Sequence, residues 1–197
     1  MAPLALVVCV LLTPLPAQRQ EVVLTLGRVL SSEQSAAGGR LDLGGGTALQ
    51  ANYGFRIIES HAAALLVETH LLASPHRDVS ANLPNATRDF AILYVTPGLR
   101  VKFAPLGRIS PYVAVGGGYA LYEQSFMTIS GQANPAPRHI HRGVVDFGGG
   151  VDAAVRRWLG LRFEIPDFYS GKPSLNVVTS GSGLHNVVVG GGVVLRF

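Results

Sequence analysis

Hydrophobic and polar residues alternate with a period of two along most of this chain. In the segment 93–103, LYVTPGLRVKF, Leu93 and Val95 fall on one face, while Tyr94 and Arg100 fall on the other. Successive side chains of a β-strand point to opposite faces of the sheet, so this pattern predicts a strand with one apolar and one polar face. Eight segments with this alternation or with β-rich composition are predicted as strands: 21–30, 44–58, 62–72, 89–103, 109–123, 144–156, 159–168 and 185–197.

The connections between these segments alternate between long and short. The long ones are SSEQSAAGGRLDL, ASPHRDVSANLPNATR, QSFMTISGQANPAPRHIHRG and YSGKPSLNVVTSGSGL, and the short ones are IESHA, APLGR and RRW. Antiparallel neighbours joined by hairpins place alternate connections at opposite ends of the sheet. Long loops at one end and tight turns at the other are typical of transmembrane β-barrels. The expected fold is therefore all-β, an eight-stranded antiparallel up-and-down transmembrane β-barrel.

Composition separates this fold from a soluble β-sandwich, which would also alternate. Hydrophobic residues make up 48% of the 197 residues and charged residues only 14%, and the 24 glycines are spread over the predicted strands and loops. A sandwich would carry more Lys, Glu and Thr on its polar face, whereas here that face carries isolated charges and glycine. Small residues fit the interior of an eight-stranded barrel, which has room only for side chains. In lipid the sheet must also close, because every backbone polar group needs a partner.

The polar face carries charged side chains that would point into the barrel. The candidates for a lumen charge network are Glu68, Arg100, Asp146, Asp152, Arg162, Glu164 and Arg196. Such residues would line a polar channel, act as acid–base groups, or pair with one another and plug the interior. We favour the plug, because an isolated buried charge costs several kcal/mol unless it is paired.

The last predicted strand, HNVVVGGGVVLRF, alternates up to Phe197. Phe55, Phe103 and Trp158 lie beside short turns, at the same expected level as Phe197. Aromatic side chains are favoured at this height because it is the membrane–water interface. A terminal Phe on an alternating strand resembles the assembly signal of bacterial outer-membrane proteins, so Phe197 is the candidate signal.

From about residue 20 onward the chain resembles the small eight-stranded outer-membrane barrels of the outer-membrane protein A transmembrane-domain type. The Gly-rich final strand and the passage DFGGGVDAAVRRWLGLRFEIPDFYSG carry the resemblance. Pro166 departs from it, and because proline cannot donate to the ladder we expect a bulge there. The resemblance implies a bacterial outer-membrane location, with membrane lipid, lipopolysaccharide and the barrel-assembly machinery as partners.

The first 17 residues, MAPLALVVCVLLTPLPA, are typical of a secretory signal peptide, with a buried N-terminal strand as the alternative. Residues 18–197 would then form one outer-membrane barrel domain. Removal of Cys9 with the signal peptide would leave neither a disulfide nor a thiolate metal site. The net charge of +4 permits attraction to phosphates or anionic lipid.

The glycine triplets do not form phosphate loops. They occur at 44–46, 116–118, 148–150 and 190–192. None shows a phosphate-loop or dinucleotide fingerprint opening a helix. We expect them within strands, where glycine marks strong curvature or close packing.

The segment PRHIHR places His139 and His141 between Arg138 and Arg142. Two imidazoles without a third ligand make a weak metal site, so we interpret the segment as a solvated basic loop patch. Its functional interpretation is contact with lipopolysaccharide phosphates.

Some outer-membrane barrels are lipid-modifying enzymes with a His and a Ser on the lipid face. Ser182 and His185 lie close together in this sequence, but the sequence shows neither a matching motif nor a third partner. We therefore predict no catalytic, cofactor or metal site and no nucleic-acid partner, and the sequence does not indicate an oligomeric state. The expected function is a structural or surface-interaction barrel with a lumen closed by charged side chains. The alternative is a lipid-modifying enzyme or a narrow pore.

Overall fold

The computed structural model describes residues 19–36, 38–179 and 183–197. The predicted signal peptide and Ser182 lie outside these residues. The described strands are β1 (Gln20–Ser31), β2 (Gln34–Ala36), β3 (Gly39–Asp42), β4 (Gly46–Glu59), β5 (Ala63–Asp78), β6 (Ser80–Ala81), β7 (Asp89–Phe103), β8 (Ile109–Gln124), β9 (His139–Ala154), β10 (Leu159–Ser170) and β11 (Leu184–Arg196).

Eight of these strands form one closed antiparallel barrel in the order β1-β4-β5-β7-β8-β9-β10-β11, and β11 pairs back onto β1. Each barrel strand hydrogen-bonds the next one along the chain, so the topology is a simple meander. The predicted all-β, eight-stranded up-and-down barrel is confirmed. β1 begins and β11 ends at the short-turn end, where Gln20 and Phe197 exchange two backbone hydrogen bonds of 3.0 Å.

Two strands extend into regions that the sequence assigned to long loops. β5 continues to Asp78 instead of ending near residue 72, and β9 begins at His139 instead of near residue 144. Both extensions keep buried side chains on the inner face, such as Ser74 and Ile140. The polar residues between them made these segments look like loops. The interpretation of PRHIHR as a loop was therefore wrong from His139 onward.

The long loops carry a small sheet of their own, with β3 between β2 and β6. Other contacts tie the loops together: Ala36 bridges to Thr179, and the amide of Thr87 donates to the carbonyl of Leu175 at 3.1 Å. Gly44 and Gly45 precede β4, so only Gly46 of the first glycine triplet lies in a strand, whereas the sequence predicted all three there. The other three triplets lie in β8, β9 and β11.

Alternation gives the barrel an apolar outside and a mixed inside. Exposed outward-facing side chains include Leu99, Val115 and Phe163, whereas the inward-facing Arg100 and Arg162 are buried. These exposed outward side chains are apolar, so a hydrocarbon solvent suits the outer wall better than water. No helix in the described ranges has the length and hydropathy needed to cross a membrane.

Glycine allows neighbouring strands to approach closely, as the sequence analysis predicted for the glycine triplets within strands. A Cβ atom on Gly98 would lie 2.5 Å from the Cα of Gly116 across the β7–β8 pair. A Cβ on Gly148 would lie 2.5 Å from the Cα of Pro166. Any side chain at these positions would force the strands apart, so these two glycines are required by contact between backbones.

The bulge expected at Pro166 is absent. The pairing of β10 with β9 keeps one register through Pro166, which lies opposite Gly148. The pairing with β11 is interrupted around Ile165 and Pro166 but resumes in the same register at Asp167. Strand β10 therefore accommodates the missing N–H of Pro166 by losing ladder bonds to β11. On the β9 side, Gly148 leaves room for the proline ring.

An arginine at mid-height on the outer wall should destabilise the barrel in lipid. Val115→Arg replaces an outward valine near the middle of β8 and should cost about 2–4 kcal/mol, because the charge is placed in hydrocarbon. Ile109→Arg is the matched control, since Ile109 lies on the same face of the same strand at its short-turn end. There the cost should be about 0–1 kcal/mol. Reversible denaturant unfolding from lipid vesicles measures the unfolding free energy of both variants. Equal losses would contradict the placement of Val115 in the hydrocarbon layer.

Candidate functional site in the barrel interior

The short-turn half of the lumen holds a cluster of buried charges, which we call the charge cluster. Its members are Glu21, Glu68, Arg100, Lys102, Asp152, Arg162 and Glu164, from β1, β5, β7, β9 and β10. All project inward because they share the inner parity of their strands. The cluster joins residues that are distant in sequence, so it braces the barrel from the inside.

Glu21 is the centre of the charge cluster. Its carboxylate accepts from Arg100 at 2.6 Å and from Lys102 at 3.2 Å. Arg196 approaches it at 3.5 Å and Arg56 at 3.8 Å from the rim. One fully buried carboxylate thus lies within ion-pair distance of cations from three strands, β4, β7 and β11.

Asp152 and Arg162 form a second, two-point contact. The two residues are directly opposite in the β9–β10 ladder. Arg162 donates from Nε at 2.7 Å and from Nη2 at 3.1 Å to the two carboxylate oxygens. Lys102 lies 2.6 Å from the same carboxylate. This fork-to-fork geometry is the strong form of an ion pair.

Glu68 and Tyr112 connect the two arginines. Glu68 lies 2.9 Å from Nε of Arg100 and 3.3 Å from Nη1 of Arg162. The ring of Tyr112 packs against both guanidinium groups, 5.3 Å and 4.4 Å from their central carbons, and its hydroxyl donates to Glu164 at 2.8 Å. Cation–π contacts of this kind are stronger when desolvated.

Asp146 lies in the next layer toward the loops. It contacts His70 Nδ1 at 2.8 Å, and the other ring nitrogen of His70 is 3.6 Å from Glu68. Among the described residues, this imidazole is the link between Asp146 and the charge cluster.

The structure places all seven sequence-predicted lumen residues on the inner face. Five of them belong to the charge cluster, Asp146 is joined through His70, and Arg196 reaches Glu21 from the rim. Sequence reasoning missed Glu21 and Lys102. Lys102 shares the parity of Arg100, and Glu21 stands on the inner parity of the first strand, so the alternation itself was the signal for both.

The loop-side half of the lumen has a different filling, which we call the loop-side core. It is apolar and aromatic, and among its buried members are Val29, Leu41, Leu43, Leu72, Phe90, Tyr94, Tyr122, Phe168, Leu175 and Val188. Tyr94 stacks on Phe168 with ring centroids 5.1 Å apart, and its hydroxyl contacts that of Tyr122 at 2.9 Å. Loop residues such as Leu41 and Leu175 are buried here, so the loops close this end of the barrel.

Arg77 anchors the loop-side core and was not predicted from the sequence. Its guanidinium donates to the carbonyl oxygens of Leu43 at 2.6 Å and Gly44 at 2.7 Å. It also donates to Ser31 at 2.6 Å and Asn186 at 2.8 Å. No carboxylate among the described residues pairs with it, so Arg77 is satisfied by neutral oxygens that tie the first long loop to β1, β5 and β11.

The outer wall carries aromatic residues at the short-turn end. Phe55 lies opposite Gln20 on one side, and Phe197 pairs with Gln20 on the other. The carbonyl of Trp158 accepts from the amide of Arg196 at 2.9 Å, which places Trp158 at the same end of the barrel. These residues form the aromatic belt that the sequence suggested for one membrane interface.

The basic segment near residue 140 is held by neighbours. Arg138 donates to Glu123 at 2.7 Å and covers the ring of Phe126 at 4.0 Å. His141 stacks on Tyr119 and hydrogen-bonds its hydroxyl. In the described ranges no group of His, Cys, Asp and Glu has the arrangement of a metal site.

His185 faces outward and has a carboxylate partner. Its Nδ1 lies 2.7 Å from Asp167, and its ring packs against Tyr169 at 4.7 Å. No third partner for His185 is evident in the sequence, and the structure supplies Asp167, which belongs to the neighbouring strand and cannot be found by local motif reading.

The fold agrees with known small barrels. Neisserial surface protein A has a TM-score of 0.59 and 14% identity over 90% of this chain and 97% of that chain. OprG of Pseudomonas aeruginosa has a TM-score of 0.58 and 12% identity, covering 91% and 96%. Outer membrane protein W of E. coli has a TM-score of 0.50 and 14% identity, covering 92% and 98%. The chain has the fold of a small outer-membrane barrel.

Neither a protein-family model nor a curated protein sequence matches the chain. The fold and the apolar outer wall agree with each other: a closed eight-stranded barrel with this surface is an outer-membrane protein, as predicted.

Removing the central carboxylate should destabilise the barrel. Glu21→Gln leaves Arg100 and Lys102 without their shared partner and should cost about 3–5 kcal/mol in unfolding free energy. Glu33→Gln is the control, because Glu33 forms an exposed ion pair of 3.6 Å with Arg40 and should cost less than about 1 kcal/mol. Denaturant titration from vesicles gives both values. A silent Glu21→Gln would show that the cluster does not brace the fold.

Proposed function

We propose that this protein is a non-conducting outer-membrane barrel with a structural or surface-interaction role, whose loops contact lipopolysaccharide. The lumen filling carries the proposal. The charge cluster fills one half of the interior and the loop-side core fills the other, so two successive layers obstruct a path along the axis. A solute would have to break buried ion pairs and then displace packed aromatic rings.

The exposed side of the loops supports the interaction role. The loops form an ordered layer with its own sheet. Ordering these residues lowers their conformational entropy, a cost that mobile loops would avoid. Basic side chains are exposed at this end, among them Arg40, Arg88, Arg138 and Arg142. Cations at this height suit the phosphate groups of lipopolysaccharide.

Planar-bilayer recording tests the closed lumen. The wild-type protein should show no steady conductance. The variant Arg100→Ala/Tyr94→Ala, which removes a large side chain from each layer, should show openings if it inserts. A steady, ion-selective current from the wild-type protein would contradict the proposal and favour a narrow pore with the charges as its lining.

The outward Asp167–His185 pair favours a lipid-modifying enzyme as the second candidate. A carboxylate that orients an imidazole is part of hydrolytic triads, and this pair lies on the outer wall, accessible to lipid. A nucleophile is not assigned, since Ser182 lies outside the described residues. Release of fatty acid from lipopolysaccharide by the wild-type protein, lost in His185→Ala, would favour the enzyme; its absence would leave the interaction barrel.

Export and assembly belong to the same proposal. We propose that residues 1–17 direct secretion and that Phe197 is the residue the barrel-assembly machinery recognises. Phe197 lies on the closing seam of the barrel, beside Gln20.

Replacing Phe197 should impair insertion while secretion continues. Phe197→Asp puts a charge at the aromatic terminus and should lower the outer-membrane level several-fold, with the chain accumulating in the periplasm. Phe55→Asp is the control, because Phe55 lies at the same end of the barrel but belongs to β4 and is not the terminal residue. Fractionation and immunoblotting measure both. Equal losses would assign the effect to the aromatic belt instead of a terminal signal.

A further inference from the structure

A cationic cavity opens at the short-turn mouth of the barrel. It has a volume of ≈ 540 Å³ and lies between the turns 104–108 and 155–158. Its charged lining consists of Arg56, Lys102, Arg156, Arg157 and Arg196, and the lining contains no carboxylate. The cavity is therefore a concave surface of one sign of charge.

The carboxylates beneath the cavity pair with some of its cations and leave Arg156 and Arg157 without an acidic partner among the described residues. Glu21 and Asp152 bind Lys102, and Glu21 also faces Arg196 at 3.5 Å. Arg156 and Arg157 are exposed and form no ion pair within the described ranges. Residues 1–18, which precede the described barrel, contain no Asp or Glu.

The charge count confirms the excess. The charge cluster holds four carboxylates, from Glu21, Glu68, Asp152 and Glu164, and three cations, from Arg100, Lys102 and Arg162. Adding the rim residues Arg56 and Arg196 raises the cations to five, and Arg156 and Arg157 raise them to seven. Glu59 is one further acid at this end, and it pairs with Arg56.

We propose that this cavity binds a phosphate-bearing ligand that carries two or more negative charges. Guanidinium groups match the oxygens of phosphate through two-point hydrogen bonds. A pocket of one sign with protein walls focuses the field and raises the local concentration of the opposite charge. Arg156 and Arg157 supply most of the binding, since Lys102 and Arg196 are partly engaged by Glu21.

This site differs from the proposed lipopolysaccharide contacts, which lie at the loop end. The short turns of such barrels face the periplasm, so the ligand would come from that side. Two sources offer the same chemistry: a soluble polyphosphorylated compound, or the headgroup of an anionic phospholipid in the inner leaflet.

Calorimetric titration of the folded barrel in phosphatidylcholine nanodiscs with sodium tripolyphosphate tests the site. The wild-type protein should bind, with an affinity that falls as salt rises. Arg156→Ala/Arg157→Ala should bind about tenfold more weakly, because two charge-assisted contacts are lost. Both side chains are exposed in a turn that is closed by backbone hydrogen bonds between Arg156 and Leu159, so the variant should fold.

Two further variants sharpen the result. Arg156→Lys/Arg157→Lys keeps the charge and should retain most of the affinity. Arg40→Ala/Arg88→Ala removes two arginines from the loop end and should bind like the wild type. The proposal is overturned if the wild type does not bind, or if the loop-end variant loses as much affinity as the turn variant.

Phosphorus NMR of nanodiscs that contain phosphatidylglycerol separates the two sources. An immobilised headgroup population that disappears in Arg156→Ala/Arg157→Ala identifies the lipid. Tripolyphosphate binding without such a population identifies a soluble ligand.

Discussion

The fold depends on one constraint: the hydrocarbon core of a membrane holds no water that could hydrogen-bond the backbone N–H and C=O groups. A strand in hydrocarbon must find a partner for each N–H and C=O, so a sheet in lipid has no free edge. Pairing of β1 with β11 from Glu21–Arg196 to Ser31–Asn186 meets that demand. Gln20 and Phe197 continue the seam to its end. Closure then divides the side chains into an apolar wall and an enclosed interior.

The largest energetic penalty of this fold is the desolvation of the charges enclosed in the barrel. Eight strands leave space only for side chains, and charges taken from water must be paired. Glu21 meets this condition through Arg100 and Lys102, and Asp152 does so through Arg162. The loop side avoids the cost by filling with apolar and aromatic groups. The same closure that stabilises the fold therefore favours a role at the loops and the mouth over one in transport.

Alternation made most of this fold predictable from sequence, because a closed barrel in lipid repeats one rule along every strand. It placed Arg100, Arg162 and Glu164 inside with the correct parity. It failed where polar residues continue a strand beyond the alternating segment, as in β9 from His139. It also gave no view of pairs between strands, such as Asp167 with His185, or of Arg77, whose partners come from a folded loop. Those contacts depend on register and loop closure, which no local pattern encodes.

We infer that the charge cluster is a water-poor, fixed plug. The most direct measurement is the solvent exchange of the Nε–H groups of Arg100 and Arg162 by NMR in bicelles. We expect two resolved signals that exchange slowly with water, because both guanidinium groups are buried and hydrogen-bonded to carboxylates, Arg100 to Glu21 and Arg162 to Asp152. Signals that are averaged and exchange as rapidly as that of the exposed Arg40 would contradict it.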